Sequence, residues 1–249
     1  MAVLGIIPAR YASTRFPGKP LARINGKSMI RRVYEQCLLA GKPDKIVVAT
    51  DDERIFNQVQ EFGGEVVMTE EEHQNGTSRC VEALSIIEEK TGKSFDFIIN
   101  IQGDEPFINP LQIDKVASLL EKTPVQIATL GKKIDKKEDL FDPNVVKLVT
   151  NKDHKALYFS RQPIPHVREA EMDQWLEKAD FYKHIGIYGY KRDVLTEIVA
   201  LPSGKLEVAE RLEQLKWMEN GYDIFVDYTD FDSFSVDTPD DLLKFTNKP

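Results

Sequence analysis

Short apolar runs alternate with amphipathic stretches along the first half of the chain, and that alternation leaves few folds open. Val3–Ile7, Lys45–Thr50, Glu65–Met68 and Phe97–Gln102 are apolar runs with β-branched residues. They read as strands buried on both faces. Between the first two, Lys27–Ala40 sets Met29, Ile30, Val33, Cys37 and Leu38 at helical spacing, and Gly41 closes the run. Asp51 is the expected cap of a helix that presents Ile55, Val59 and Phe62 on one side. Thr77–Glu89 and Pro110–Glu121 continue the series, with Pro110 suited to a first turn. Apolar strands joined by helices predict an α/β fold with a mostly parallel sheet covered on both faces.

The second half changes character. Gln126–Ile134, Val145–Thr150, Ala156–Ser160 and His184–Tyr190 are strand-like with few helices between them. Residues 162–182 form a polar connection with two prolines, expected to be a flap or a dimer-forming layer rather than another βα unit. Residues 205–220 read as a helix, 223–228 as a strand and 238–246 as a last helix. The expected organisation is one domain over 1–249: a first half in 1–122, an insertion in about 126–192, and a return to the main sheet in 205–249.

Composition removes several classes of function. Lys and Arg number 33 against 41 Asp and Glu, a net charge of −8. Such a surface repels nucleic acid and anionic membranes, so neither is an expected partner. The apolar runs are too short to cross a bilayer. MAVLGIIPAR lacks a basic start and a small-residue cleavage site, so a cytoplasmic location is expected. Cys37 and Cys80 sit in helical patterns, as buried thiols do.

Ligands of such sheets bind outside the carboxyl ends of the strands. The chemically loaded loops fall there. PARYASTRFPGKP puts Arg10, Arg15 and Lys19 directly after a strand, with the Ser13 and Thr14 hydroxyls between them. In an acidic protein that is a local anion site, suited to a polyphosphate. It is not a Walker A loop, because Ser13 holds the first glycine position and Pro20 follows Lys19. HQNGTSR (73–79) opens a helix, where free N–H groups face a ligand. Arg79 is misplaced there for the helix dipole and hints at an anionic partner. NIQGDEP (100–106) sets two acids after a buried strand. FSVDTPDDLL (234–243) gives a capping box from Thr238, Pro239 and Asp241 and leaves Asp237 unexplained by capping. Asp104 and Asp237 could share one Mg²⁺. The four histidines have no metal-ligand spacing. A phosphate loop with an acidic metal site points to phosphoryl or nucleotidyl transfer.

PARYASTRFPGKPL resembles the sugar nucleotidyltransferases that activate acidic sugars with CTP, and among them the 3-deoxy-manno-octulosonate (Kdo) cytidylyltransferases. The resemblance continues through VATDDERI, NIQGDEP, ALYFSRQPIP, HIGIYGY, LEQLKW and VDTPDDL, over nearly the whole chain. It implies a Rossmann-like fold of the nucleotide-diphospho-sugar transferase type, with a small β-rich dimerisation insertion. It implies that Pro8, Ala9, Arg10, Ser13, Arg15, Lys19, Gly76, Thr77 and Arg79 bind CTP. Gln102, Arg161, His184, Tyr188, Glu213 and Gln214 match positions around the sugar acid. Asp104 and Asp237 match the Mg²⁺ ligands, and Arg15 and Lys19 join them in catalysis. The implied reaction is attack of the Kdo anomeric hydroxyl on the CTP α-phosphate, giving CMP-Kdo for lipopolysaccharide synthesis, in a homodimer. The same chemistry on 8-amino-Kdo or another acidic sugar stays open. Asn75 stands where the family has Ser, Ser78 where it has an acid, Ser235 for Gly and Lys216 for Arg.

Overall fold

A computed structural model describes residues 1–12 and 16–246. In chain order its elements are β1 (Val3–Ala9), β2 (Arg23–Ile24), β3 (Lys27–Ser28), α1 (Met29–Cys37), β4 (Lys45–Thr50), α2 (Glu53–Glu61), β5 (Val66–Met68), α3 (Gly76–Thr91), β6 (Phe97–Asn100), α4 (Pro110–Leu120), β7 (Ile127–Lys133), α5 (Lys137–Phe141), β8 (Lys147–Thr150), β9 (Ala156–Ser160), α6 (Trp175–Lys178), β10 (Tyr182–Lys191), α7 (Arg192–Val199), α8 (Lys205–Glu210), α9 (Glu213–Glu219), β11 (Ile224–Tyr228) and α10 (Pro239–Thr246). The main sheet runs β11-β7-β10-β6-β1-β4-β5, and β8 and β9 extend it from β10. β6, β1, β4 and β5 form a parallel block, and β11 is parallel to β7. β10 runs antiparallel between β6 and β7, so the parallel order breaks in mid-sheet.

Side chains of alternate strand residues feed two cores, one on each face. In β1, Val3, Ile7 and Ala9 join α1, α2 and α4, while Leu4 and Ile6 join α3, α7 and α9. Burial on both sides explains why these strands read as continuous apolar runs. A smaller core forms in the insertion from Ile134, Leu140, Trp175 and Phe181, with the Trp175 and Phe181 rings stacked. The two thiols are buried, and burial raises both above the usual thiol range.

Several expectations are corrected. Asp52, not Asp51, caps α2: its carboxylate accepts from Arg54 N. The first expected helix starts two residues late because Lys27–Ser28 pairs with β2 in a small hairpin. The 205–220 helix is two helices, broken at Arg211, whose φ is +51°. Helix α7 was not expected; it follows β10 directly and packs Val194, Leu195 and Ile198 into the core. The 162–182 connection contains α6. The Thr238–Asp241 capping box is present, with Thr238 N donating to Asp241 Oδ2 at 3.0 Å.

Candidate active site

The loops after β1 and β6 and the start of α3 meet at the carboxyl edge of the parallel block. Gly103 allows the approach: a Cβ there would stand 2.6 Å from Pro8 O. Gly18, at φ +71°, turns the first loop back, and its N–H closes on Tyr11 O at 2.9 Å. Tyr11 lies against Gly18 on one side, and Arg54 stacks on its ring at 3.3 Å from the centroid. These contacts deliver Lys19 into a cleft lined by Pro8, Ala9, Arg10, Asn75, Gly76, Gln102, Asp104 and Asp237, among others. Ser13 and Arg15 lie outside the described residues.

Lys19 Nζ sits 2.8 Å from Asp104 Oδ2 and 3.6 Å from Asp237 Oδ1. Backbone pairing of Val236 N with Asp104 O at 2.9 Å brings the two acids together from the middle and the end of the chain. One ammonium already sits against both carboxylates, so the pair forms a cation-binding position. Its donors are hard oxygens, the set that Mg²⁺ prefers, and two carboxylates leave coordination places for phosphate and water. Among the described residues no third acid, His or Cys completes a cage.

Arg79 lines the same cleft and is held from inside the protein. Its guanidinium is buried and donates to Asp51 Oδ2 at 2.6 Å and Thr69 Oγ1 at 2.5 Å. The anion expected near it is therefore Asp51, inside the protein, and Arg79 shapes the cleft wall by anchoring α3. The family departures nearby are absorbed. Asn75 caps α3 through Oδ1, which accepts from Ser78 N at 2.9 Å, and Ser78 Oγ returns a bond to Asn75 O. His73 pairs with Glu82 and lies 3.2 Å from Ser78 Oγ.

A second pocket opens behind Asp104 and Asp237 and shares them, Gly76 and Gln102 with the first. Arg161, His184, Tyr188, Glu213 and Gln214 all line it. A bulge in β10 between Ile185 and Tyr188 shapes its floor. Gln102 Nε2 donates to Gly186 O there at 3.0 Å. Thr129 Oγ1 donates to Ile187 O at 2.8 Å, so its 3.0 Å contact with His184 Nε2 makes that nitrogen the donor. Burial pushes His184 down to about 3, so the ring is neutral near pH 7. Arg161 donates to three backbone carbonyls, those of Glu210, Pro143 and Arg211, and so braces the pocket wall. Glu213 accepts from Asn75 and Thr77, and burial raises its carboxyl above the usual range.

The pocket's lining also holds polar atoms that the sequence did not single out. Asn100 Oδ1, Glu105 Oε2, Tyr188 Oη, Trp217 Nε1 and Ser233 Oγ are buried and complete no well-formed hydrogen bond within the protein. Burial and the neighbouring Asp104 push the Glu105 carboxyl up to about 7, against the pull of Ser233. Buried polar atoms without a well-formed bond are rare in folded proteins, and their concentration here makes this pocket a candidate site for a polar ligand. Of the five, the sequence points to Tyr188, and to Glu105 only as the second acid of NIQGDEP. The others sit in apolar or turn-forming stretches, where no local pattern separates them from packing residues.

Comparison with known proteins converges on one family. The model of the cytidylyltransferase family matches residues 4–224. The chain is 52% identical to a 3-deoxy-manno-octulosonate cytidylyltransferase of Parabacteroides distasonis, covering 98% of this chain and 96% of that one. It is 53% identical to the protein of that name from Bacteroides thetaiotaomicron, with 97% and 96% covered. A solved CMP-2-keto-3-deoxy-manno-octonic acid synthetase in complex with CTP superposes with a TM-score of 0.88 at 41% identity, over 98% of this chain and 96% of that one. A cytidylyltransferase from Leptospira borgpetersenii, 15% identical with a TM-score of 0.62, shares the fold. With its loops gathered round one carboxylate pair and its length matched from end to end, this chain belongs to the cytidylyltransferase family.

Proposed function

We propose that the chain transfers the cytidylyl group of CTP to the anomeric hydroxyl of Kdo, forming CMP-Kdo and diphosphate. The observation that carries this reading is the shared wall: the cationic cleft and the orphan-rich polar pocket meet at Asp104, Asp237 and Gln102. A nucleotide in the first and a polyol acid in the second would meet α-phosphate to hydroxyl at that boundary. The relatives' activities agree with it.

The chain's part is positioning and charge. Arg10 and Lys19 hold the phosphates, and Lys19 faces the charge that grows on the departing diphosphate. Ser13 and Arg15 of the same loop are proposed to join them. Pro8, Ala9, Gly76 and Thr77 supply backbone and shape around the nucleotide. Asp104 and Asp237 would hold Mg²⁺, which supplies positive charge at the reacting phosphate when bound. Arg161 and Gln102 fix the acceptor pocket, and neutral His184 offers Nδ1 to a sugar hydroxyl as an acceptor. No covalent link to the enzyme is required. Two further expectations rest on the family resemblance: a homodimer formed through the 126–192 region and a cytoplasmic location.

The test is diphosphate release from CTP, with and without Mg²⁺, offered Kdo, 8-amino-Kdo and N-acetylneuraminate separately. Preferential release with Kdo is expected. Preference for another acid would keep the chemistry and reject the substrate. Silence with all three, in protein that binds CTP, would reject the transferase reading.

A further inference from the structure

Glu213 begins α9 on the acceptor side, and the start of α3 holds both of its carboxylate oxygens, one of them through Asn75 of the nucleotide cleft. Asn75 Nδ2 donates to Oε1 at 3.0 Å and Thr77 Oγ1 to Oε2 at 2.9 Å. Asn75 lines the nucleotide cleft; Thr77, Glu213 and the adjacent Gln214 line the acceptor pocket. The contacts join segments 138 and 136 residues apart. Asn75 is itself fixed, because its Oδ1 caps α3 through Ser78 N. A half-buried carboxylate with two donors is a directional link, and breaking it leaves a partly desolvated acceptor unpaired. The start of α9 therefore cannot move relative to the start of α3 without losing these bonds.

We propose that Glu213 is a positioning residue that couples the two compartments. A nucleotide that settles the 73–79 loop fixes α9, and with it Gln214, through Asn75 and Thr77. Coupling of this kind is reciprocal, so the acceptor also tightens the nucleotide. This rests on the assignment of nucleotide and acceptor given above. The link has a chemical direction, amide at 75 and carboxylate at 213, and it can be reversed. Asn75→Asp with Glu213→Gln keeps the helix cap, since Asp caps as well as Asn. It lets the new amide donate to the new carboxylate and leaves the amide carbonyl to accept from Thr77. Asn75→Asp alone sets two carboxylates face to face. Glu213→Gln alone leaves one acceptor for two donors.

The experiment is calorimetric titration of α,β-methylene CTP with Mg²⁺, with and without saturating Kdo. The wild-type protein is expected to bind the nucleotide at least about fivefold tighter with Kdo present, the lower end of ordinary allosteric coupling. Each single variant should bring the ratio close to one, and the double variant should restore it. A wild-type ratio of one overturns the proposal, and needs no variant to fold. So does Glu213→Gln with the wild-type ratio, or a double variant that stays uncoupled. Failure of the functional reading looks different: wild-type protein that neither binds Kdo nor releases diphosphate.

Discussion

The nucleotide cleft and the acceptor pocket share a wall but are built by different means. The cleft takes its residues from loops that directly follow parallel strands, so each contributing segment is short and continuous in sequence. The pocket draws on the loop after α5, the ends of β9 and β6, the bulged middle of β10, the start of α9 and the loop before α10. Insertion of an antiparallel strand between β6 and β7 brings these distant pieces together. A polyphosphate needs concentrated charge and free N–H groups, which strand ends and helix starts provide locally. A polyol acid needs many dispersed donors and acceptors, which only the tertiary fold assembles.

The boundary itself should give the largest effect. Asp104→Asn or Asp237→Asn removes one of the two acids both compartments share. Each should cost about 100–1,000-fold in turnover, the size of one lost charge-stabilising group. Circular dichroism should stay unchanged. Turnover within a few-fold of wild type in either variant would remove the pair from the metal role and dissolve the boundary as the reaction centre.

A smaller effect separates the two compartments. Arg161 fixes the acceptor wall with a planar set of donors to three carbonyls. Lysine keeps the charge but not that geometry. Arg161→Lys should raise the acceptor KM about tenfold, the loss of roughly one hydrogen bond to a charged group. The KM for CTP should stay within about twofold. Equal changes in both constants would show that the wall is common to the two sites.

The same contrast decides how much of the molecule is legible in the sequence. The parallel block was readable because burial on both faces writes itself as apolar runs. Lys19 and Asp104 stood out as charges in loops that follow buried strands, and Asp237 as an acid the α10 capping box does not use; the structure brings all three together, although no strand leads directly into Asp237. Arg79 was noticed for the right reason, a cation at a helix start, but its anion is Asp51 within the fold. Asp51 was read as a cap because Asp52 beside it is equally able to be one, and periodicity does not resolve a single residue. Helix α7 was missed because it follows β10 without a loop to punctuate it. Trp217 and Asn100 carry no local signal, and Glu105 was visible only as the second acid beside Asp104: what sets them apart is burial without a well-formed bond, which exists only after folding.

The smallest expected effect concerns stability, and it tests whether the acceptor pocket is dry enough to exclude charge. His184 is held neutral, with its pKa pushed down to about 3 by burial. An unfolded histidine titrates near 6.5. Between about pH 6.5 and 3 the unfolded chain thus binds a proton that the folded ring refuses, so stability falls as the pH is lowered through that window. Above about pH 6.5 both states carry a neutral ring and the contribution is constant. The ring keeps some water contact, which limits its share to about 1–2 kcal/mol. His184→Gln retains an amide able to reach Thr129 and carries no titrating group. Urea unfolding of the two proteins at pH 7.5 and pH 5 measures the difference directly. The wild-type protein should lose about 1 kcal/mol more than the variant on going to pH 5. Equal losses would mean that the imidazole takes up its proton in the folded state, and the pocket would then accept charge as readily as the nucleotide cleft does.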